Sequence, residues 1–176
     1  MEHLWAPWRV EYIRGEKPNG CVLCENPKAR EEYENLVLYK GKLNFVIMNK
    51  YPYNPGHLMV APFRHIDTPE DFTDAELDEH YQLARRCLAV LREVFNPHGF
   101  NLGMNLGKVA GAGITEHCHT HIVPRWEGDT NFMPVLGDTR VVPVALARLR
   151  ARLAPRFAAK KTKQAALTAE AHRARH

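Results

Sequence analysis

The sequence predicts an α+β fold, in which a five-stranded, mainly antiparallel sheet packs against one long helix and a short C-terminal helix. Short runs of β-branched and aromatic residues, bounded by turn residues, predict a hairpin and further strands. A longer stretch, from Thr73 to about Phe95, places apolar residues at helical three- and four-residue steps. At 176 residues, the chain is long enough for one domain with a single core.

The first three strands are predicted between residues 36 and 62. Leu36–Lys40 and Leu43–Asn49 flank a Gly-Lys turn and therefore indicate a hairpin. A turn cluster, YPYNPG, occupies residues 51–56. It is followed by the third predicted strand, His57–Pro62.

The long helix begins at a capping box, in which Thr73 and Glu76 can each accept a hydrogen bond from an otherwise unpaired amide. It ends at the Asn-Pro-His-Gly sequence of residues 96–99. The spacing predicts that the buried face carries an apolar stripe. This stripe consists of Leu77, Tyr81, Ala84, Leu88, Leu91 and Phe95.

Two more strands, FNLGMNLG and HCHTHIVPR, are predicted on either side of the loop Lys108–Thr115. A short helix from about Pro143 to Leu153 completes the domain. We therefore expect a folded domain over residues 1–155 and a flexible basic tail over residues 156–176.

Composition and charge exclude several classes of protein. No apolar run approaches the ~20 residues that span a bilayer, and the opening residues lack a secretion signal, so we expect a cytoplasmic protein without a membrane partner. In that compartment the four cysteines are reduced. The segment from Arg148 to His176 carries nine Lys/Arg and one Glu. No aromatic residue follows Phe157 to stack on bases, so a nucleic-acid partner is not expected.

Three histidines at alternating positions, His117, His119 and His121, are the strongest functional signal. Because side chains alternate along a strand, the three imidazoles should share one face of the sheet. Cys118, Thr120 and Ile122 should then share the other face. Such a row suits either a metal site or a nucleophilic histidine that neighbouring groups orient.

The loop before the row favours phosphate chemistry. It carries glycines at positions 107, 111 and 113, which let the backbone approach an anion closely. A neutral imidazole can attack phosphorus and later leave, which divides a difficult transfer into two easier steps. The central position favours His119 as the nucleophile.

The stretch HCHTHIV resembles the His-φ-His-φ-His-φ-φ signature of the histidine-triad (HIT) nucleotide-binding superfamily, where φ is an apolar residue. LNFVIMNKYPYNPGHLMVAP is similar to the nucleoside-binding hairpin of that family, and NLGKVAGAGITEH to its phosphate loop. LWAPWR and WEGDTNFMPVLGDTRVVP resemble the bacterial branch that includes diadenosine tetraphosphate phosphorylases. The resemblance runs from about Leu4 to Leu153.

The resemblance implies a HIT-like fold, a homodimer with a continuous sheet, and a nucleotidyl-histidine intermediate. By position, His119 is the nucleophile, His121 lies nearer the phosphate or leaving group, and His117 supports from the other side. His57 follows a glycine and either supports these groups or is a structural histidine.

The resemblance also implies contacts with the nucleotide. Asn49 matches a position that binds ribose hydroxyls, and Ile47 shares its strand face and would lie against the base. Asn105 matches an amide side chain near the scissile phosphate, and Gly111 and Gly113 belong to the phosphate loop.

One departure from the family pattern bears on the reaction. Gly113 stands where fragile-histidine-triad hydrolases carry glutamine, which favours inorganic phosphate over water as the second acceptor. We therefore expect phosphorolysis of diadenosine tetraphosphate to ATP and ADP. The alternatives are a hydrolase that releases AMP from dinucleoside polyphosphates or nucleoside phosphoramidates, a nucleotide-sensing module with little turnover, and a nucleic-acid factor that uses the basic tail.

The pair Cys21 and Cys24 has the spacing of a zinc knuckle and needs two further ligands, for which His65 and His117 are the candidates. The resemblance to zinc-bearing relatives implies a structural zinc bound by these four residues. A redox motif is disfavoured because no βαβ unit accompanies the pair. A plain pair of packed thiols remains an alternative.

Overall fold

The computed structural model describes residues 20–28, 36–129 and 146–158. Its strands are β1 (Val37–Lys40), β2 (Asn44–Met48), β3 (Leu58–Pro62), β4 (Gly99–Met104) and β5 (Thr120–Arg125). Its α-helices are α1 (Val22–Glu25), α2 (Asp74–Phe95) and α3, which covers residues 146–158. The strands form one sheet in the order β1-β2-β3-β5-β4, and each neighbouring pair is antiparallel. The predicted α+β architecture is therefore confirmed, and the four-residue α1 is an addition to it.

The central strands β2 and β3 are buried along their whole length because both faces of the sheet are covered. Helices α2 and α3 cover one face, where Val46, Val60 and Ile122 contribute to the larger apolar cluster. On the opposite face, Phe45 and Ile47 pack in a smaller cluster that includes Leu23 of α1. The two clusters explain why β2 is apolar throughout instead of alternating.

The β1–β2 turn is fixed by a carboxylate of α2. Glu79 accepts hydrogen bonds from the backbone amides of Lys42, Leu43 and Asn44 at 2.6–2.8 Å. Gly41 passes so close that an added Cβ would lie 2.8 Å from a Glu79 carboxylate oxygen. Glycine is therefore required at this turn by close approach.

Helix α2 begins with the predicted capping box, in which Thr73 and Glu76 each accept the other's backbone amide. The predicted stripe, however, is wrong for the first half of the helix, where Leu77 and Tyr81 are 42% and 65% exposed. The buried face consists of Glu76, His80, Leu83, Ala84, Cys87, Val90 and Leu91. Glu76 and His80 turn inward because each finds hydrogen-bond partners there, which settles the rotation of the helix.

Helix α3 continues to residue 158 instead of ending at Leu153. The reason is Phe157, whose side chain is fully buried in the same cluster as Leu149 and Leu153. The expected domain boundary after residue 155 thus falls inside this helix. Its expected start at Pro143 lies outside the described residues, as do residues 159–176 of the proposed basic tail.

None of the helices that the structure describes has the length and apolarity to cross a membrane. All four cysteines are free thiols, as expected from the sequence.

Candidate functional site

The histidine row lies where β5 begins, on the sheet face that points away from α2. On the α2 side, Thr120 contacts His80 through a 2.7 Å hydrogen bond, and Ile122 packs in the helix-side core. On the other side, His119 and His121 line a cavity, with their ring centroids 4.7 Å apart. The alternation predicted from the sequence is therefore confirmed.

His119 is held in the form that a nucleophile requires. Its Nδ1 lies 2.8 Å from the backbone carbonyl oxygen of His117, and a carbonyl can only accept, so Nδ1 carries the proton. The lone pair is then on Nε2. Burial lowers the pKa of His119, because desolvation disfavours the charged imidazolium. His119 is consequently a neutral imidazole with Nε2 as its basic nitrogen.

The tautomer of His121 follows from a chain of three groups. The backbone amide of Tyr53 donates to Nδ1 of His57 at 3.1 Å, so His57 carries its proton on Nε2. That Nε2 lies 3.0 Å from Nδ1 of His121, which must accept. The neutral His121 ring therefore carries its proton on Nε2. The Tyr53 ring stacks on His57, with the centroids 4.8 Å apart and the planes 20° apart.

The cavity beside these two histidines has a volume of about 580 Å³, a size typical of small-molecule sites. Six of the eight residues predicted to contact substrate or perform catalysis line it together. They are Ile47, Asn49, Gly111, Gly113, His119 and His121. Its apolar wall comes from α1 and α3, through residues such as Leu23 and Leu146.

Asn49 is oriented before any ligand arrives. Its side-chain oxygen accepts from the backbone amide of Tyr51 at 2.9 Å, and its Nδ2 lies 3.4 Å from Nδ1 of His57. Asn105 follows the end of β4 and does not appear among the described residues that line the cavity. Its predicted role near the scissile phosphate stays a prediction.

The glycine loop is a 3-10 turn, Lys108–Ala110, that ends at Gly111. Gly111 has φ +83°, a left-handed conformation that other residues rarely adopt. The backbone amides of Ala110 and Gly111 donate to carbonyl oxygens within the loop at 3.3 and 3.0 Å. Gly111 and Gly113 of the loop thus line the cavity, and the two internal hydrogen bonds stabilise the conformation of the loop.

The predicted metal ligands converge on one point. The ligand atoms of Cys21, Cys24, His65 and His117 all lie within 4.8 Å of one another. Cys24 Sγ is 3.3 Å from His65 Nδ1 and 3.5 Å from His117 Nδ1. Sulfur and nitrogen ligands of a tetrahedral zinc ion stand about 3.6 Å apart, given their usual bond lengths. The four residues can therefore hold a metal ion.

His117 is in the protonation state that a metal ligand needs. Its Nε2 lies 2.9 Å from the carbonyl oxygen of Pro62, so Nε2 carries the proton and Nδ1 presents a lone pair to the thiols. Its pKa is lowered by burial, and the side chain is fully buried. Burial likewise raises the pKa of the Cys24 thiol, and a bound cation would favour the thiolate.

Several residues of the site have no role that the sequence alone indicates. The sequence predicts Tyr53 only as a turn residue and α3 only as a closing helix, although Leu146 and Arg150 of α3 line the cavity. The sequence allows either a supporting or a structural role for His57, and its contact with His121 favours the supporting one. These contacts join residues far apart in the chain, so spacing alone carried no signal of them.

The chain matches a family model described as the HIT domain over residues 30–128. It is 41% identical, over 90% of its own length and 85% of the relative's, to a Mycobacterium tuberculosis protein named AP-4-A phosphorylase. It is 34% identical to an asymmetrical bis(5'-nucleosyl)-tetraphosphatase from Schizosaccharomyces pombe, over 53% of this chain and 50% of that one.

Solved structures share the fold. A histidine triad nucleotide-binding protein from Sulfolobus tokodaii superposes with a TM-score of 0.64 and 22% identity, covering 80% of this chain and 94% of that one. A zinc-bound histidine triad family protein from Mycobacterium smegmatis superposes with a TM-score of 0.63 and 22% identity, covering 82% and 97%.

Proposed function

This chain belongs to the HIT domain family, and on that premise we propose that it is an enzyme that transfers a nucleotidyl group from dinucleoside polyphosphates. Its proposed reaction is the phosphorolysis of diadenosine tetraphosphate to ATP and ADP. The observation that carries the proposal is the pair of complementary tautomers in the cavity. His119 has a basic Nε2, and the adjacent His121 has a protonated Nε2.

In the first step, Nε2 of His119 attacks the phosphorus atom attached to one adenosine. A nitrogen–phosphorus bond forms while the bond to the bridging oxygen breaks, and ATP leaves. The Nε2–H of His121 donates a hydrogen bond to the departing oxygen and stabilises the negative charge that develops there in a partly buried site. Asn49 and Ile47, in the same cavity, would hold the ribose and the base.

In the second step, an oxygen of inorganic phosphate attacks the same phosphorus atom. The nitrogen–phosphorus bond to His119 breaks, ADP forms, and His119 returns to its neutral imidazole form while His121 keeps its Nε2 proton. Gly113 lines the cavity at the position where a glutamine would otherwise project. Its lack of a side chain leaves room for an acceptor larger than water, which supports phosphate. The name of the M. tuberculosis relative supports the same choice.

The Cys/His cluster is proposed to bind a structural zinc ion, because two thiolates and two imidazoles are the donor set that zinc prefers. Such an ion would join the segment at α1 to the start of the triad and would leave no coordination position open. Cys21 and Cys24 would need to stay reduced, which supports the proposed cytoplasmic location.

A homodimer is also proposed. The strand β4 lies at the edge of the sheet, its residues 101–103 are exposed, and a second copy could continue the sheet there. The proposed partners are accordingly a nucleotide, phosphate and a second copy of the chain.

The proposal is tested by incubating the protein with diadenosine tetraphosphate and radiolabelled inorganic phosphate. The expected result is label in ADP and none in ATP, with no product when phosphate is omitted. Equal release of AMP with and without phosphate would contradict phosphorolysis and identify a hydrolase. Tight binding without turnover in either condition would indicate a nucleotide-sensing module instead.

A further inference from the structure

The residue between His119 and His121 is polar, although the signature has an apolar residue at that position. Thr120 is 7% exposed, and its hydroxyl lies 2.7 Å from Nε2 of His80, a residue of α2 that is 1% exposed. Neither residue lines the cavity described above. A buried hydroxyl–imidazole pair is thus placed directly behind the two histidines proposed for catalysis.

The direction of each bond in this pair is settled by its partners. Nδ1 of His80 lies 2.9 Å from the side-chain oxygen of Asn44, which can only accept, so Nδ1 carries the proton. Nε2 of His80 must therefore accept, and the Thr120 hydroxyl donates to it. Nδ2 of Asn44 in turn donates to the backbone carbonyl of Glu76, one turn earlier on α2, at 3.0 Å. The imidazole is fixed at both nitrogens.

Thr120 is also where the sheet begins to hold this part of the chain. It is the first residue of β5, paired with Val60 on one side and Met104 on the other. His119 precedes the strand, so its position depends on how Thr120 is anchored. Because threonine is β-branched, a hydroxyl held at one rotamer also restricts the backbone that carries it.

Resting on the proposed nucleotidyl transfer, we propose that Thr120 and His80 are positioning residues for the reaction. Their hydrogen bond fixes the backbone at the start of β5. It thereby sets the positions of His119, just before the strand, and of His121, within it. It therefore aligns the attacking nitrogen of His119 with the Nε2–H of His121, although neither Thr120 nor His80 touches the substrate.

The test compares Thr120→Val, which keeps the shape and removes the hydroxyl, with Thr120→Ser, which keeps the hydroxyl. We expect Thr120→Val to lower kcat for diadenosine tetraphosphate phosphorolysis about tenfold, with a nearly unchanged KM, because misalignment acts on the transition state. Thr120→Ser should restore most of the wild-type kcat. Wild-type kcat in Thr120→Val would overturn the proposal.

Cys87→Ala is the matched control. Cys87 is fully buried on the same helix, in the apolar cluster and not in the hydrogen-bonded chain, so its removal should lower the melting temperature without lowering kcat. A loss of kcat in Cys87→Ala equal to that in Thr120→Val would overturn the proposal, because any destabilisation of α2 would then have the same effect. Should Thr120→Val not fold, His80→Gln replaces it. Because the glutamine side chain can accept a hydrogen bond from Thr120 and donate one to Asn44, this variant should retain most of the wild-type kcat. Loss of that activity would overturn the proposal.

A second readout separates this inference from the proposed function. Two-dimensional ¹H–¹⁵N spectra of the imidazoles report the tautomers of His119 and His121 without any substrate. We expect Thr120→Val to shift both sets of signals and Cys87→Ala to leave them in place. An inactive wild-type protein with these shifts would refute the reaction alone, whereas unchanged signals in Thr120→Val would refute the positioning role.

Discussion

The two ends of the histidine row have the same spacing and different chemistry. At one end, His119 and His121 line a cavity, and the Nδ1 atom of each ring is engaged in a hydrogen bond. The Nε2 atom of each ring is therefore the one proposed to meet a substrate. At the other end, His117 is fully buried, and its Nδ1 faces two cysteines 93 and 96 residues away. The difference shows that the motif determines which way the side chains point, whereas distant partners determine what each imidazole does.

The backbone of His117 connects the two ends. Its side chain belongs to the Cys/His cluster, while its carbonyl oxygen accepts the Nδ1 proton of His119. A displacement of His117 would therefore disturb the tautomer of His119, the proposed nucleophile. Each of the following predictions alters one end of the row, or its support, and asks whether the other end changes with it.

The largest effect is expected from His119→Ala. Loss of the nucleophile should lower kcat by about 10⁴- to 10⁶-fold, since no other group can form the covalent intermediate. Nucleotide affinity, measured by isothermal titration calorimetry, should change little because Asn49 and Ile47 remain. Metal content should also be unchanged. Substantial residual turnover in this variant would refute the assignment of the nucleophile.

Removal of the proposed metal ion should have the next largest effect. With free metal about 1,000-fold above its Kd, binding to the native state alone contributes about 4 kcal/mol, or about 8–16 °C in Tm. Strong chelators and Cys24→Ser should both lower Tm by an amount of this order, as followed by calorimetry. Because His117 also orients His119, kcat should fall as well.

Cys118→Ala is the control for metal removal. Cys118 is a neighbour of His117 in sequence, is buried, and lies outside the cluster, with a pKa raised by burial to about 11. It should retain one metal per chain by elemental analysis. Purified wild-type protein without metal, or a Tm that chelators leave unchanged, would contradict the metal site.

The support behind the row should make stability depend on pH. Burial lowers the pKa of His80 to about 4, with a smaller contribution from His119, and the ring of Phe72 lies 5.2 Å away. The pKa of histidine in the unfolded chain is about 6.5, so on acidification the unfolded chain binds the proton first. The free energy of unfolding therefore decreases as the pH is lowered. The expected loss from His80 is about 1.5 kcal/mol between pH 6.5 and pH 5.

Urea denaturation of wild type and His80→Gln across this range isolates the contribution of His80. Two other buried histidines, His117 and His119, also have lowered pKa values and contribute equally to both proteins. The wild-type curve should therefore fall more steeply than that of His80→Gln. Parallel curves would show that His80 is not buried in its neutral form.

The contrast within the row also indicates how much the sequence can predict. Alternation along a strand requires only neighbouring residues, so the shared face of His119 and His121 was predictable, and so was the Cys-x-x-Cys ligand pair. The rotation of α2 was not, because His80 turns inward only when Asn44 and Thr120 are there to bond it. An apolar stripe cannot show a polar residue whose partners lie on other elements.

The observed end of helix α3 also differs from the one that the sequence predicts, for a related reason. The basic charge of residues 148–176 indicates a solvated tail. A single aromatic residue, Phe157, packs in the core and keeps the first part of this segment in the folded domain. Burial of a large aromatic side chain contributes about 2 kcal/mol or more, which is enough to continue a helix by a turn.

The smallest effect is expected at His57, and it tests whether the partners of His121 set its role. In His57→Phe the ring can still stack on Tyr53, but nothing donates to Nδ1 of His121, so this imidazole can populate both tautomers. Because only the form protonated at Nε2 can serve the leaving group, kcat should fall by about tenfold or less. Tyr53→Phe is the matched control, since the backbone amide of Tyr53 is the donor and the stacked ring is kept. Imidazole ¹⁵N shifts of His121 should change in His57→Phe and stay constant in Tyr53→Phe. A wild-type kcat with a changed tautomer would mean that His121 serves the reaction by its position alone, and the two ends of the row would then differ in metal binding and not in hydrogen bonding to the substrate.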